Sequence, residues 1–208
     1  MEIIRRSRRG LSFPLQLTEG FYLIDGEVKQ APLTVNKVIA YDNFDRSDGP
    51  LGNAVTGQTW ESPVPGIEIV GGLAANPTGS SNVLSVVETG LSDCIITVKI
   101  AVVKPGTRIA FRTSTASNFY TFQTENGHYR LYKFVNGSAT MIGNNNLYSP
   151  NATDEILRVV LKGSSIKCYA NGNLIFDVVD DFNKGATKHG IRISTSEARI
   201  SEFLVLEG

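Results

Sequence analysis

Residues 156–179, ILRVVLKGSSIKCYANGNLIFDVV, decide the fold. Three short runs, 156–161 (ILRVVL), 165–170 (SIKCYA) and 174–179 (LIFDVV), are rich in β-branched and aromatic residues. Turn residues part them: Lys162-Gly163-Ser164 first, then Asn171-Gly172-Asn173. Gly and Asn-Gly tolerate the positive φ that tight hairpin turns require, so the segment reads as a three-stranded antiparallel meander.

The same grammar extends in both directions. Residues 118–124 (NFYTFQT) meet 128–135 (HYRLYKFV) across Glu125-Asn126-Gly127, and Asn136-Gly137 precedes a further run at 139–143. Upstream, 94–103 (CIITVKIAVV) and 108–113 (RIAFRT) flank Pro105-Gly106 and are expected to form a hairpin. Downstream, 190–194 (GIRIS) and 198–206 (ARISEFLVL) alternate apolar with polar, as half-buried strands do. Ile200, Phe203 and Val205 are expected to point inward, which demands a bulge near Glu202 because 200 and 203 differ in parity. With the weaker runs 41–44, 67–70 and 83–87, roughly a dozen strands and almost no helical periodicity predict an all-β chain built as two stacked antiparallel sheets.

Composition agrees with one domain carrying a modest appendage. The 208 residues include 20 basic and 20 acidic side chains, 41% are apolar and 19% are charged. Twenty glycines without a period exclude collagen, and the apolar fraction excludes a disordered chain. The longest apolar run, 94–103, is interrupted by Lys99 and is too short to span a bilayer, so no membrane insertion is expected. Residues 1–9 carry the charge of a secretory leader, but Ser12, Pro14 and Gln16 interrupt the apolar residues of 11–17, so no export signal is expected. Cys94 and Cys168 are too few for a disulfide framework and read as core residues.

Residues 1–40 differ from the rest. They hold six basic and four acidic residues, a balance of +2, which leaves fourteen and sixteen, a balance of −2, for 41–208. An acidic body argues against nucleic acid as a partner. The segment is expected to be an N-terminal docking arm: Arg5, Arg6, Arg8 and Arg9 supply charge, and Phe13, Leu15, Leu17 and Phe21 supply apolar side chains that forty residues cannot bury alone. A small hairpin across Asp25-Gly26, between 21–24 and 27–30, is expected within it.

Residues 42–60, DNFDRSDGPLGNAVTGQTW, resemble the opening strand and first loop of concanavalin A-like jelly-roll domains of the laminin-G or pentraxin type. The likeness continues through 91–100 (LSDCIITVKI), 109–122 (IAFRTSTASNFYTF), 129–137 (YRLYKFVNG), 157–171 (LRVVLKGSSIKCYAN) and 190–205, covering 41–208. It implies a jelly-roll sandwich whose first and last strands lie side by side, with a concave face that relatives use for glycans. Such domains occur in bacterial surface proteins and in bacteriophage tail, baseplate and capsid-decorating proteins. Residues 8–17 (RRGLSFPLQL) also resemble the N-terminal stretch of phage baseplate wedge proteins.

No catalytic residues are expected. Glycoside hydrolases of similar fold place carboxylates on alternate strand positions as Glu-x-Asp-x-Glu, and no such triplet is present. Asp177, Asp180 and Asp181, and the pair Asp154-Glu155, are its nearest imitations, with Asp180-Asp181 read as a solvated turn. His128 and His189 are the only histidines, and neither a Gly-x-Ser-x-Gly elbow nor a phosphate loop occurs, so no cofactor is expected. Asp42, Asp45, Asp48 and Glu202 carry oxygens suited to calcium, but turn contacts with Arg46 paired to one aspartate are the preferred reading, and no metal is expected.

Glycan binding needs exposed aromatic plates with polar partners on a rigid platform. The expected ligand-binding set is Arg112, Asn118, Tyr120, Tyr132 and Tyr148, the last in the turn-rich stretch Asn144-Asn145-Asn146-Leu147-Tyr148. Tyr129, Arg130 and Trp60 are further candidates, with Trp60 expected to pack beneath the long loop. The main functional expectation is a non-enzymatic bacteriophage virion protein displaying a lectin-like domain for host-glycan attachment or particle decoration. Residues 1–40 would contact other virion proteins, and a homo-oligomer is compatible with this. The alternative is a carbohydrate-binding module of a bacterial surface or secreted protein.

Overall fold

A computed structural model describes residues 36–208 and, upstream of them, the backbone of two short strands. The chain divides into two units, Met1–Lys37 and Val38–Gly208. In the first, β1 (Phe21–Ile24) and β2 (Glu27–Gln30) pair antiparallel with Ile24 opposite Glu27, the hairpin expected across Asp25-Gly26. The docking residues Arg5, Arg6, Arg8, Arg9, Phe13, Leu15 and Leu17, and the side chain of Phe21, lie outside the described residues.

The second unit is all-β, with no helix among the described residues. Its strands are β3 (Val38–Asp42), β4 (Gly49–Pro50), β5 (Glu61–Val64), β6 (Glu68–Val70), β7 (Leu73–Ala75), β8 (Val83–Glu88), β9 (Cys94–Val102), β10 (Thr107–Thr115), β11 (Asn118–Glu125), β12 (His128–Val135), β13 (Ser138–Asn145), β14 (Thr153–Lys162), β15 (Ser165–Ala170), β16 (Asn173–Val179), β17 (Lys188–Ile193) and β18 (Arg199–Glu207). One sheet runs β13-β12-β11-β10-β17-β8-β5 and the other β16-β15-β14-β9-β18-β7-β6-β4, with β3 also paired to β18. The boundary read from the sequence at 40/41 falls inside β3.

The meanders form where the sequence places them. Asn126-Gly127, Asn136-Gly137 and Asn171-Gly172 each occupy a two-residue loop with both φ angles positive, from 47° to 84°. That is the type I′ geometry whose twist matches the flanking strands. Alternate residues then face inward: Ile96, Val98 and Ile100 of β9 and Leu157, Val159 and Leu161 of β14 join Ile109, Phe111, Tyr120 and Phe122 of the other sheet in one core. Burying each such side chain stabilises by about 1.5–3 kcal/mol. Cys94 and Cys168 are buried free thiols within it.

First and last strands lie side by side: Phe203 of β18 sits opposite Asp42 of β3, and β9 takes the other edge of β18. The expected bulge is present, since Ile200 faces Ile100 while Glu202 faces Lys99. Ile200, Phe203 and Val205 are consequently all fully buried.

Two strand assignments differ from the sequence reading. Residues 94–103 and 108–113 are consecutive but not a hairpin, because β9 belongs to the larger sheet and β10 to the smaller. Both edges of β9 are already occupied by β14 and β18, so the chain arches at Lys104-Pro105-Gly106 to the opposite sheet. The Thr107 amide and hydroxyl close the arch on the Lys104 carbonyl, and the Gly106 amide donates to Thr124. Asn144 and Asn145, read as part of an exposed loop, belong to β13.

Candidate functional site

The side chains of the seven-stranded sheet sort by parity into two faces. On β10, Ile109 and Phe111 enter the core, so Arg108 and Ala110 face away from it; on β17, Ile191 and Ile193 enter, so Arg192 faces away. By the same alternation Phe119, Gln123 and Glu125 of β11 and Arg130, Tyr132 and Phe134 of β12 share that outer face. Cross-strand register sets Arg192 opposite Arg108, Arg108 opposite Gln123, and Gln123 opposite Arg130, a polar row crossing four strands. Phe119 and Phe134 are also opposite each other, and their rings stack at 4.5 Å.

A cleft of about 350 Å³ lies on this face, lined by Arg108, Gln123, Glu125, Tyr132, Phe134 and Arg192 among others. Leu84, Val86, Ala110 and Phe119 form a separate small apolar cluster, against which Phe134 packs, and Phe119 also lines the cleft. The Arg192 guanidinium lies 4.8 Å from the Phe134 ring centre and 5.3 Å from that of Phe119, a double cation–π contact.

Arg108 is held by two acceptors, Gln123 Oε1 at 2.5 Å from its Nε and the Ser194 hydroxyl at its Nη1. Gln123 in turn donates to Glu125, and the Tyr132 hydroxyl reaches Glu125 at 3.4 Å. Burial pushes Arg108 down to about 10, against the opposing pull of Glu125. It pushes Arg192 down to about 9, with the charge of Arg108 adding to the effect. Both remain cations near neutral pH, so the cleft offers many donors, aromatic faces and a positive field.

Of the residues expected to bind ligand, Tyr132 alone lines the cleft. Arg112 and Tyr120 are fully buried and present no side-chain surface to a ligand, which corrects the expectation for both. Arg112, at φ 47°, sits where β10 slips register against both neighbours, and the irregularity turns it inward. Its Nη2 donates to the Gly163 carbonyl at 2.5 Å and lies 3.5 Å from Asp93, so it braces one sheet against turns of the other. Tyr120 stacks on Phe111 and donates its hydroxyl to Asp180 at 2.6 Å; burial, then that bond, raises its pKa. Asn118 braces two hairpin ends, accepting from the Asn136 amide and donating to Thr115. Tyr148 is exposed in the turn after β13, where the Asn145 side chain accepts from its amide.

Among the further candidates, Tyr129 is buried and donates to the buried Glu155, while Arg130 caps the Tyr129 and Asn145 carbonyls. Trp60 is buried as expected, its ring against Phe44 and Phe203. Arg108, Gln123, Glu125 and Arg192 were not singled out from the sequence. The signal available was the outward set Arg130, Tyr132 and Phe134 on one strand, beside arginines alternating with isoleucine in RIAFRT and GIRIS.

Several of the acidic candidates are engaged by protein donors. Asp42 accepts from both Arg46 Nη atoms, at 2.7 and 2.9 Å, from the Trp60 indole at 2.7 Å and from the Phe44 amide, so the aspartate–Arg46 pairing preferred from the sequence is present. Asp48 accepts from the Gly71 amide, and Asp177 pairs with Lys167. Asp180, read as a solvated turn residue, instead joins Tyr120, Lys133 and the Phe182 amide. Among the described residues no three His, Cys, Asp or Glu side chains form a metal-ligand group. Cys94 lies 3.5 Å from His189, but both are fully buried and burial pushes the thiol up to about 12, which leaves it inert.

The fold defines the class: an all-β antiparallel sandwich of a seven-stranded and a nine-stranded sheet. No protein-family model matches the sequence, and no curated protein matches it. Solved structures do. The carbohydrate binding module CBM66 from Bacillus subtilis superposes with a TM-score of 0.50 at 14% identity, over 82% of this chain and 95% of that one. Domain 4 of AbnA, a GH43 extracellular arabinanase from Geobacillus stearothermophilus, in complex with arabinotriose, gives 0.53 at 15% identity, over 83% and 93%. A mutant of the GH43 protein BlXynB from Bacillus licheniformis gives 0.57 at 11% identity, over 88% of this chain and 42% of that one. At these identities the likeness speaks for the fold.

Proposed function

We propose that the sandwich is a non-enzymatic carbohydrate-binding domain and that saccharide is held in the cleft on the outer face of the seven-stranded sheet. The observation that carries this reading is the cleft itself, in which Tyr132 and Phe134 stand beside Gln123, Arg108 and Arg192 on a strand-built platform. Sugars present apolar C–H faces and a rim of hydroxyls, and such a mixed lining suits both. Similarity to a carbohydrate binding module and to an arabinanase domain in complex with arabinotriose supports the same reading.

A glycan array probed with the intact chain, followed by titration of the best ligand against Tyr132→Ala, tests the proposal. Binding that falls about tenfold or more in the variant supports it. An array blank across neutral and acidic saccharides overturns it.

The setting is a separate question. The neighbours favour the module of a surface or secreted protein, whereas the virion reading is motivated by the four arginines and the apolar residues of 1–40. Deleting residues 1–37, which leaves β3 whole, and measuring incorporation into particles distinguishes them, since normal incorporation contradicts a docking arm.

A further inference from the structure

Arg192 is the odd group in the cleft. The residue is 5% exposed, its Nε is buried without a partner, and among the described residues none accepts a hydrogen bond from its guanidinium. What holds it is the pair of rings Phe119 and Phe134. It also faces Arg108 directly across the β10–β17 ladder, and like charges at that position destabilise a sheet. Glu125, the carboxylate lining the cleft, is tied to Gln123 and Tyr132 and acts on Arg108, which leaves Arg192 as a cation without an anion.

Neutral sugar hydroxyls need acceptors as well as donors, and two guanidinium groups supply donors alone. A carboxylate or sulfate is the complement: it only accepts, and its oxygens match the planar fork of arginine. We propose that the cleft recognises an acidic saccharide, with the anionic group of a sugar ring seated against Arg192 beside Arg108 and the ring itself against Tyr132 and Phe134. This rests on the carbohydrate-binding reading above. Binding brings a counter-charge to a site that otherwise holds two close cations, so the acidic group decides specificity while the aromatic side chains supply contact area.

Calorimetric titration of the intact chain tests it with galacturonate, glucuronate and mannuronate trisaccharides, their carboxyl-reduced neutral counterparts, and sulfate esters of those neutral forms. At least one acidic form should bind about tenfold or more tightly than its neutral parent, and added salt should narrow that gap. A preference for uronate over sulfate assigns the anion as carboxylate, and the reverse assigns it as sulfate; either supports the proposal. Arg192→Met should weaken the acidic forms by more than it weakens their neutral parents and so narrow the gap, and Arg192→Lys, which keeps the charge without the fork, should retain part of it. Neutral parents that bind as tightly as every acidic form overturn the acidic assignment and leave carbohydrate binding standing. No binding by this panel or by a broad glycan array overturns both.

Discussion

The indole N–H of Trp60 donates to the Asp42 carboxylate at 2.7 Å, linking the loop that follows β3 to the strand pair that opens and closes the sandwich. Asp42 is fully buried, and it also satisfies Arg46 and the Phe44 amide. Replacing it strands several donors at once. Asp42→Ala is expected to cost about 2–4 kcal/mol, more than Arg46→Met, because Arg46 is partly exposed and finds water while the indole does not. Denaturant unfolding of the two variants measures the difference, and equal losses contradict this account.

His189 makes the fold acid-sensitive. Its Nδ1 accepts from the Arg112 amide and its Nε2 donates to the Leu91 carbonyl, which fixes the neutral ring with its proton on Nε2. Burial lowers its pKa from 6.5 to about 4. An unfolded chain therefore takes up a proton that the folded one refuses. The resulting stability is present above pH 6.5 and is lost as pH falls towards 4, by an amount on the order of 3 kcal/mol. His189→Gln, which can reproduce both hydrogen bonds without titrating, should flatten the slope of melting temperature between pH 6.5 and 4. An unchanged slope contradicts the assignment.

Gly190 is required by contact rather than by its dihedral angles. A Cβ there would lie 2.0 Å from the Ser85 carbonyl oxygen and 2.6 Å from the Val86 Cα, both backbone atoms of the neighbouring strand β8. Gly190→Ala is expected to destabilise by about 1–3 kcal/mol or more and to weaken saccharide binding, because β17 carries Arg192 two residues on. A melting temperature unaltered by this substitution would count against the close approach of β8 and β17.

Two tyrosines separate scaffold from site. Tyr120→Ala removes a fully buried ring stacked on Phe111 and is expected to cost about 3–5 kcal/mol. Tyr132→Ala opens the cleft, so it should reduce saccharide affinity with little change in melting temperature. Calorimetric melting and ligand titration of both variants check the contrast; loss of stability without loss of binding in Tyr132→Ala reverses it.

What the sequence made legible was local. Asn126-Gly127, Asn136-Gly137 and Asn171-Gly172 announce their turns because two positive φ angles select those residues, and the bulge at Glu202 follows from parity alone. The arch at Pro105-Gly106 carries the same turn residues as a hairpin, and a turn signal does not say which sheet the next strand joins. That is decided by β14 and β18 occupying both edges of β9 from far along the chain. The cleft was legible only in part. Arg108 and Arg192 stand 84 positions apart in sequence and meet through the register of β10 with β17. Arg112 and Tyr120 look equally available until the register irregularity in β10 turns one inward and core parity buries the other.

The central claim, that saccharide is held on the outer face of the seven-stranded sheet, is tested most directly by mapping amide and side-chain chemical shifts during titration with a bound saccharide. The account predicts that the largest changes fall on Arg108, Gln123, Tyr132, Phe134 and Arg192. Changes centred on the exposed turn at Leu147 and Tyr148, or on the outer face of the nine-stranded sheet, would contradict it.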